Sequence, residues 1–104
     1  MRVFYADHAE VVLPEGHRFP MHKYRMIRDV LTRDGVIPSD WFEESPLAQR
    51  DELVRTHAAE YVDGFVQGSL RRSRLRRIGI PWSPEFVRRA RASVGGTIAA
   101  ARAA

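Results

Sequence analysis

Four histidines and thirteen carboxylates are the residues of this chain with the means to do chemistry. Asp7, His8, Glu10, Glu15, His17 and Arg18 crowd the stretch from Ala6 to Phe19, beside glycine and proline. His57-Ala58-Ala59-Glu60 has the i, i+3 spacing that puts two metal ligands on one helical face. No second histidine or carboxylate pair stands near it, so His57 reads as packing at a helix start and Glu60 as facing solvent. His17 and His22 flank a helix start and point in different directions, and Asp7 and His8 are adjacent and do not share one face of regular structure. No Ser-His-Asp set, paired-carboxylate arrangement or phosphate-binding glycine loop can be read. Gly95-Gly96-Thr97 comes nearest to a phosphate loop but lacks its lysine and its further glycine. With no cysteine, disulfides, thiolate metal sites and cysteine nucleophiles are excluded.

The elements around these residues follow from periodicity. Arg2 to Tyr5 is a short β-prone run that leads into the polar loop. Residues 20–34 are predicted as helix: Pro20 suits a first helical turn, Gly35 a stop, and Tyr24, Ile27, Val30 and Leu31 form one apolar stripe. Val36 to Pro46 reads as a connection pinned by Trp41 and Phe42. Leu47 to Arg55 is a weak helix and His57 to Gln67 a stronger one, ended by Gly68 and Ser69. Leu70 to Trp82 reads as an arginine-rich loop. Ser83 then caps a helix with Pro84 at its first position and Glu85 in its first turn. Gly95 and Gly96 each cost about 1 kcal/mol inside that helix relative to alanine, which predicts close packing against another element.

At 104 residues the chain makes at most one small domain, and 44% hydrophobic with 29% charged residues is ordinary for a folded chain. No run of about 18 apolar residues is present, and no secretory signal opens the chain, so a cytoplasmic protein is expected. The net charge of +4 is carried by arginine, with Lys23 the single lysine. Arg71, Arg72, Arg74, Arg76 and Arg77 lie within seven positions. Clustered arginine can mark a nucleic-acid footprint, but no aromatic residues interleave the run to stack on bases, and a solvated surface is the favoured reading.

Thr97 to Ala104 stays helix-prone to the last residue, and a single strand has no sheet to join. Both lead to the expectation that the chain is part of a larger α/β protein, with its polar loop at the carboxyl end of a strand, where ligands gather.

Three blocks, in order, carry a resemblance: Val3-Phe4-Tyr5 with His17-Arg18-Phe19-Pro20-Met21-His22-Lys23-Tyr24, then Thr56-His57-Ala58-Ala59-Glu60-Tyr61-Val62, then Ser93-Val94-Gly95-Gly96-Thr97-Ile98. The chain resembles the N-terminal part of the histone deacetylase superfamily, in particular the bacterial acetoin-utilisation-type and class IV-like deacetylases. The resemblance implies an arginase-like α/β fold with a central parallel sheet flanked by helices, of which this chain is an incomplete N-terminal portion of one domain, mostly helical with one short strand. It also implies zinc-dependent hydrolysis of acetyl-lysine or a related acylamide, in an acylated protein or small molecule. The family's zinc ligands, paired histidines and tyrosine match no position here, so the resemblance assigns this chain no catalytic or metal residue. The fragment alone is expected to bind no zinc and to be inactive, with the remainder of the deacetylase domain as its partner. The resemblance places His17 on a loop near the substrate entrance and Lys23 at a basic position near the cavity beneath the metal. The alternative reading is a small basic helical module that binds nucleic acid or a protein partner.

Overall fold

Backbone pairing at the two ends of the first helical crossover sets the architecture. The computed structural model describes residues 1–104. Strand β1 (Val3–Tyr5) is followed by helix α1 (Lys23–Arg33), a 3-10 turn at Ser39–Trp41 and strand β2 (Phe42–Glu44). Helices α2 (Arg50–Leu53), α3 (Ala59–Gln67), α4 (Arg72–Ile78) and α5 (Pro84–Ala103) complete the chain. The strands run parallel, with Val3 opposite Phe42 and Tyr5 opposite Glu44. The Ser45 N–H donates to the Tyr5 carbonyl at 2.8 Å and extends the ladder past the last pair.

This architecture corrects the expected fold class. The chain is mostly helical, at 52% of residues, with two parallel strands, and it forms no central sheet of the arginase or deacetylase type. Each strand is only three residues long, and no further segment pairs with them; most of the remaining backbone hydrogen bonds lie in helices and turns. The strand expected to stand alone does have a partner. Phe42–Glu44 reads as connection in the sequence because two consecutive glutamates are poor strand formers. Here Glu43 is held from 41 residues away, by Arg2 Nε and Nη2 at 2.6 and 3.0 Å.

Helices also differ from expectation: α2 is confined to Arg50–Leu53 within the expected Leu47–Arg55, and α3 begins at Ala59 and not at His57. Helix α1 begins at Lys23, because tight turns come first: the Met21 N–H donates to the Phe19 carbonyl and the Lys23 N–H to the Pro20 carbonyl. The arginine-rich segment read as a loop forms α4 at Arg72–Ile78, closed by Gly79 at φ +80°. Arginine is a good helix former, and Leu75 and Ile78, one turn apart, give the helix its small half-buried face.

Other local signals operate as read. The Ser83 hydroxyl accepts the Phe86 N–H at 3.0 Å, capping α5, and Gly68 closes α3 in the left-handed conformation. Gly95 and Gly96 are buried where α5 meets the segment after β2. A Cβ on Gly95 would overlap the Pro46 carbonyl, and one on Gly96 would overlap the Ser45 hydroxyl. At the same crossing the Ala48 N–H donates to the Arg91 carbonyl at 2.9 Å, and Arg91 Nε donates to the Ala48 carbonyl at 2.9 Å.

The core is thin. Only 11 of 104 residues are buried, and the apolar ones are alanines and valines. The molecule is a slab of 45 × 35 × 16 Å with a radius of gyration of 15.2 Å, against about 13 Å for a domain of 100 residues. No residue of α1 is buried. Its stripe, including Tyr24, Ile27 and Leu31, lines an open gap of about 430 Å³ toward β1 and α5. Ile27 is 55% exposed. No helix is long and apolar enough to cross a membrane.

Two outcomes follow from this packing. Gly95→Ala is expected to lower stability by about 1–3 kcal/mol, the range for overpacking, because the clash is with backbone. Gly96→Ala meets a hydroxyl that can rotate and should cost less; denaturant midpoints of the two variants test the order. The isolated 104-residue chain should bind a hydrophobic dye and associate through its open α1 face. A monomer with a sharp cooperative melt would contradict that expectation.

Candidate functional site

The polar loop is anchored at the point where β1 ends. Its turn closes when the Ala9 N–H donates to the Ala6 carbonyl at 3.2 Å. That turn points Asp7 inward, where only 5% of it remains exposed. Arg28, on the second turn of α1, reaches it with both arms of its guanidinium: Nε donates to Oδ2 at 2.7 Å and Nη2 to Oδ1 at 2.6 Å. Arg25, one helical turn earlier, lies 3.8 Å from Asp7 Oδ1 and 3.3 Å from Glu10.

Arg89 of α5 completes the anchor. It is buried, donates from Nη1 to the Ala6 carbonyl at 2.7 Å, and stacks its guanidinium 4.3 Å from the centre of the Tyr24 ring. Arg28 lies 4.2 Å over the ring of Tyr5. Planar guanidinium suits both tasks, because it pairs bidentately with a carboxylate while its face rests on an aromatic ring. The hydrogen bonds from Arg28 hold the Asp7 carboxyl below its usual range; desolvation opposes the shift, and the charges of Arg28, Arg25 and Arg89 add to it. His8 turns the other way, edge-on to Tyr5 at 5.7 Å, and its Nδ1 is out of solvent with no hydrogen-bond partner.

The loop encloses a cleft of about 410 Å³ whose charged and imidazole lining is Asp7, Glu10, Glu15, His17, His22, Arg25 and Arg89. His17 is pinned on both ring nitrogens. Its Nδ1 accepts the Phe19 N–H at 3.1 Å, and its Nε2 lies 3.0 Å from the Gly79 carbonyl. These partners assign the neutral tautomer with the proton on Nε2. His17 therefore ties the loop to the α4–α5 link and has no free nitrogen for proton transfer. Lys23 stands at the start of α1, exposed, its ammonium 5.3 Å from the Phe19 ring and 5.0 Å from the Tyr24 ring. It is outside the cleft lining, so the structure does not bring the two expected substrate-binding residues together around one space.

His57 and Glu60 are both exposed, and no three His, Asp or Glu side chains converge as a metal set would require. The cleft can bind and orient a polar ligand through guanidinium and imidazole donors, with the carboxylates of Asp7, Glu10 and Glu15 on the same lining. Asp7, Arg28 and Arg89 carry more of the site's order than the sequence reading assigned them. The only available signal was one acid, Asp7, directly after a strand and within reach of an Arg25/Arg28 pair one turn apart.

No family model matches the chain. It is 40% identical over 102 residues, 98% of its length, to an uncharacterized protein of Picosynechococcus sp.. The chain spans about a third of that relative, 34% of its length.

Asp7→Asn is expected to destabilise by about 2–3 kcal/mol, below the range for a fully buried pair because Arg28 stays partly exposed. The sign of the pH effect follows from the lowered carboxyl. Its contribution is fully present above the unfolded value near 3.9 and is lost as pH falls through the lower folded value. Denaturant midpoints measured from about pH 5 downward should therefore fall less steeply in Asp7→Asn than in the parent.

Proposed function

We propose that this chain is the N-terminal segment of a zinc-dependent deacetylase that hydrolyses acetyl-lysine or a related acylamide. The observation that carries the reading is where the three resembling blocks lie. The first supplies β1 and the pinned loop around the cleft, and the third supplies the glycines at which α5 meets the segment after β2. The second opens α3, whose Phe65 packs edge-on against Phe86 of α5 at 5.6 Å.

The residues of this chain do not fit a zinc site. In this reading the metal, which would polarise the acyl carbonyl and activate water, is held by residues outside residues 1–104, and no step is assigned to it here. What this chain contributes is position. Asp7, Arg28 and Arg89 fix the base of the entrance loop, and His17 fixes its tip against the Gly79 carbonyl. His17 is thus a positioning residue, and Lys23 backs the loop through Phe19 and Tyr24. A cytoplasmic location belongs to the same proposal.

The test is hydrolysis of an acetyl-lysine peptide by the full-length protein. The reading expects turnover that a chelator removes and zinc restores, with His17→Ala lowering kcat/KM between about ten- and a hundredfold through loop misplacement. It expects no turnover by residues 1–104 alone. Metal-independent turnover by the isolated chain, or a full-length protein inert toward every acyl-lysine tried, would overturn it.

A further inference from the structure

We propose that the open groove between α4 and the Gly79–Trp82 link binds an acidic polypeptide segment, favouring substrates with Asp or Glu beside the acylated lysine. The substrate half of this inference rests on the deacetylase reading; the binding half does not. The groove, of about 350 Å³, has Arg72 and Arg76 on one wall and Leu75, Ile80, Pro81 and Trp82 as its apolar lining. Residues four apart on a helix share a face, so both guanidinium groups overlook the same space.

The charge of this segment has no answer inside the chain. From Gly64 to Pro84 there are five arginines and no Asp or Glu. All five are exposed, and none is among the arginines that form ion pairs, which are Arg2, Arg25, Arg28, Arg33, Arg50 and Arg102. The placement also works against the helix that bears it. Arg72 and Arg74 occupy the first turn, where no acidic residue stands and the helix dipole disfavours cations. Arg72 and Arg76 repel each other at i, i+4. Carboxylates brought by a partner would relieve both effects, and the apolar lining would take the stem of a flanking residue.

A peptide fits better than a nucleic acid. No aromatic ring interleaves the arginines, and Trp82, which lines the groove, has its indole N–H donating to the Phe65 carbonyl at 2.6 Å and its ring packed on Gly68. The groove also adjoins the cleft. His17 lines both, and its bond to the Gly79 carbonyl is the wall they share. A chain seated across Arg72 and Arg76 would thus continue into the proposed substrate entrance.

The experiment compares two fluorescein-labelled peptides on the full-length protein, each with one acetyl-lysine, flanked by glutamates in one and lysines in the other. Expected are about tenfold tighter binding and a similarly higher kcat/KM for the glutamate peptide at low salt. Both preferences should collapse in the Arg72→Gln/Arg76→Gln double variant, whose melting temperature should not fall, because neither residue has an internal partner and their mutual repulsion is removed. Equal binding of the two peptides, or a preference that survives the double variant, would overturn the proposal. So would displacement of the glutamate peptide by a lower concentration of an oligonucleotide of equal charge. Arginine-dependent binding with no turnover of either peptide would sink the deacetylase reading and keep the acidic-peptide site.

Discussion

The bidentate pair between Arg28 and Asp7 is the interaction on which the rest of the structure depends. Asp7 is buried just after β1, where an uncompensated carboxylate would be expensive, and Arg28 reaches it from α1 at the edge of the open gap between that helix and the strand. Arg89 then satisfies the Ala6 carbonyl one residue earlier. Three elements distant in sequence, β1, α1 and α5, are joined at one point by charged and aromatic contacts. Helix α1 buries no residue, so this polar anchor takes on the positioning that a hydrophobic face performs in most small domains.

The second constraint is the close approach at Gly95 and Gly96. With a side chain at either position, α5 would sit farther from the segment after β2, and the paired hydrogen bonds between Ala48 and Arg91 would open. This contact brings the α5 side of the slab to the strand side. The slab itself remains thin, and the apolar gap between α1 and β1/α5 is open. The closest packing is at the glycine crossing, while the loop that carries His17 is held at its base by the polar anchor.

Signals that are local in sequence were legible. The Ser83 cap and the Gly68 stop each depend on neighbours within a few residues, and each occurs as read. The glycine pair was legible as a packing signal because two glycines inside a helix are unfavourable without a reason. Strand β2 was not, since Phe42–Glu44 becomes a strand through pairing with β1 and through Arg2, both remote in sequence. Helix α4 was missed because its seven residues carry only two apolar positions, too few to show a period. The central sheet expected from the resemblance does not form in these residues. At the site, His17 and the loop stood out by residue type. Their partners Gly79, Arg28 and Arg89 did not, because a carbonyl and two surface-like arginines give no sign of long-range bonds.

In the proposed deacetylase reading, the loop fixed at its base by Arg28–Asp7 and at its tip by His17 would present a substrate to residues outside 1–104. The most direct measurement is the DNA sequence downstream of codon 104 in the natural gene. The account predicts a continuing reading frame with a His-His pair and an Asp-x-His, the residues that the deacetylase resemblance requires and this chain lacks. A genuine stop at that point, with no such residues following, would contradict it and leave a free-standing helical module.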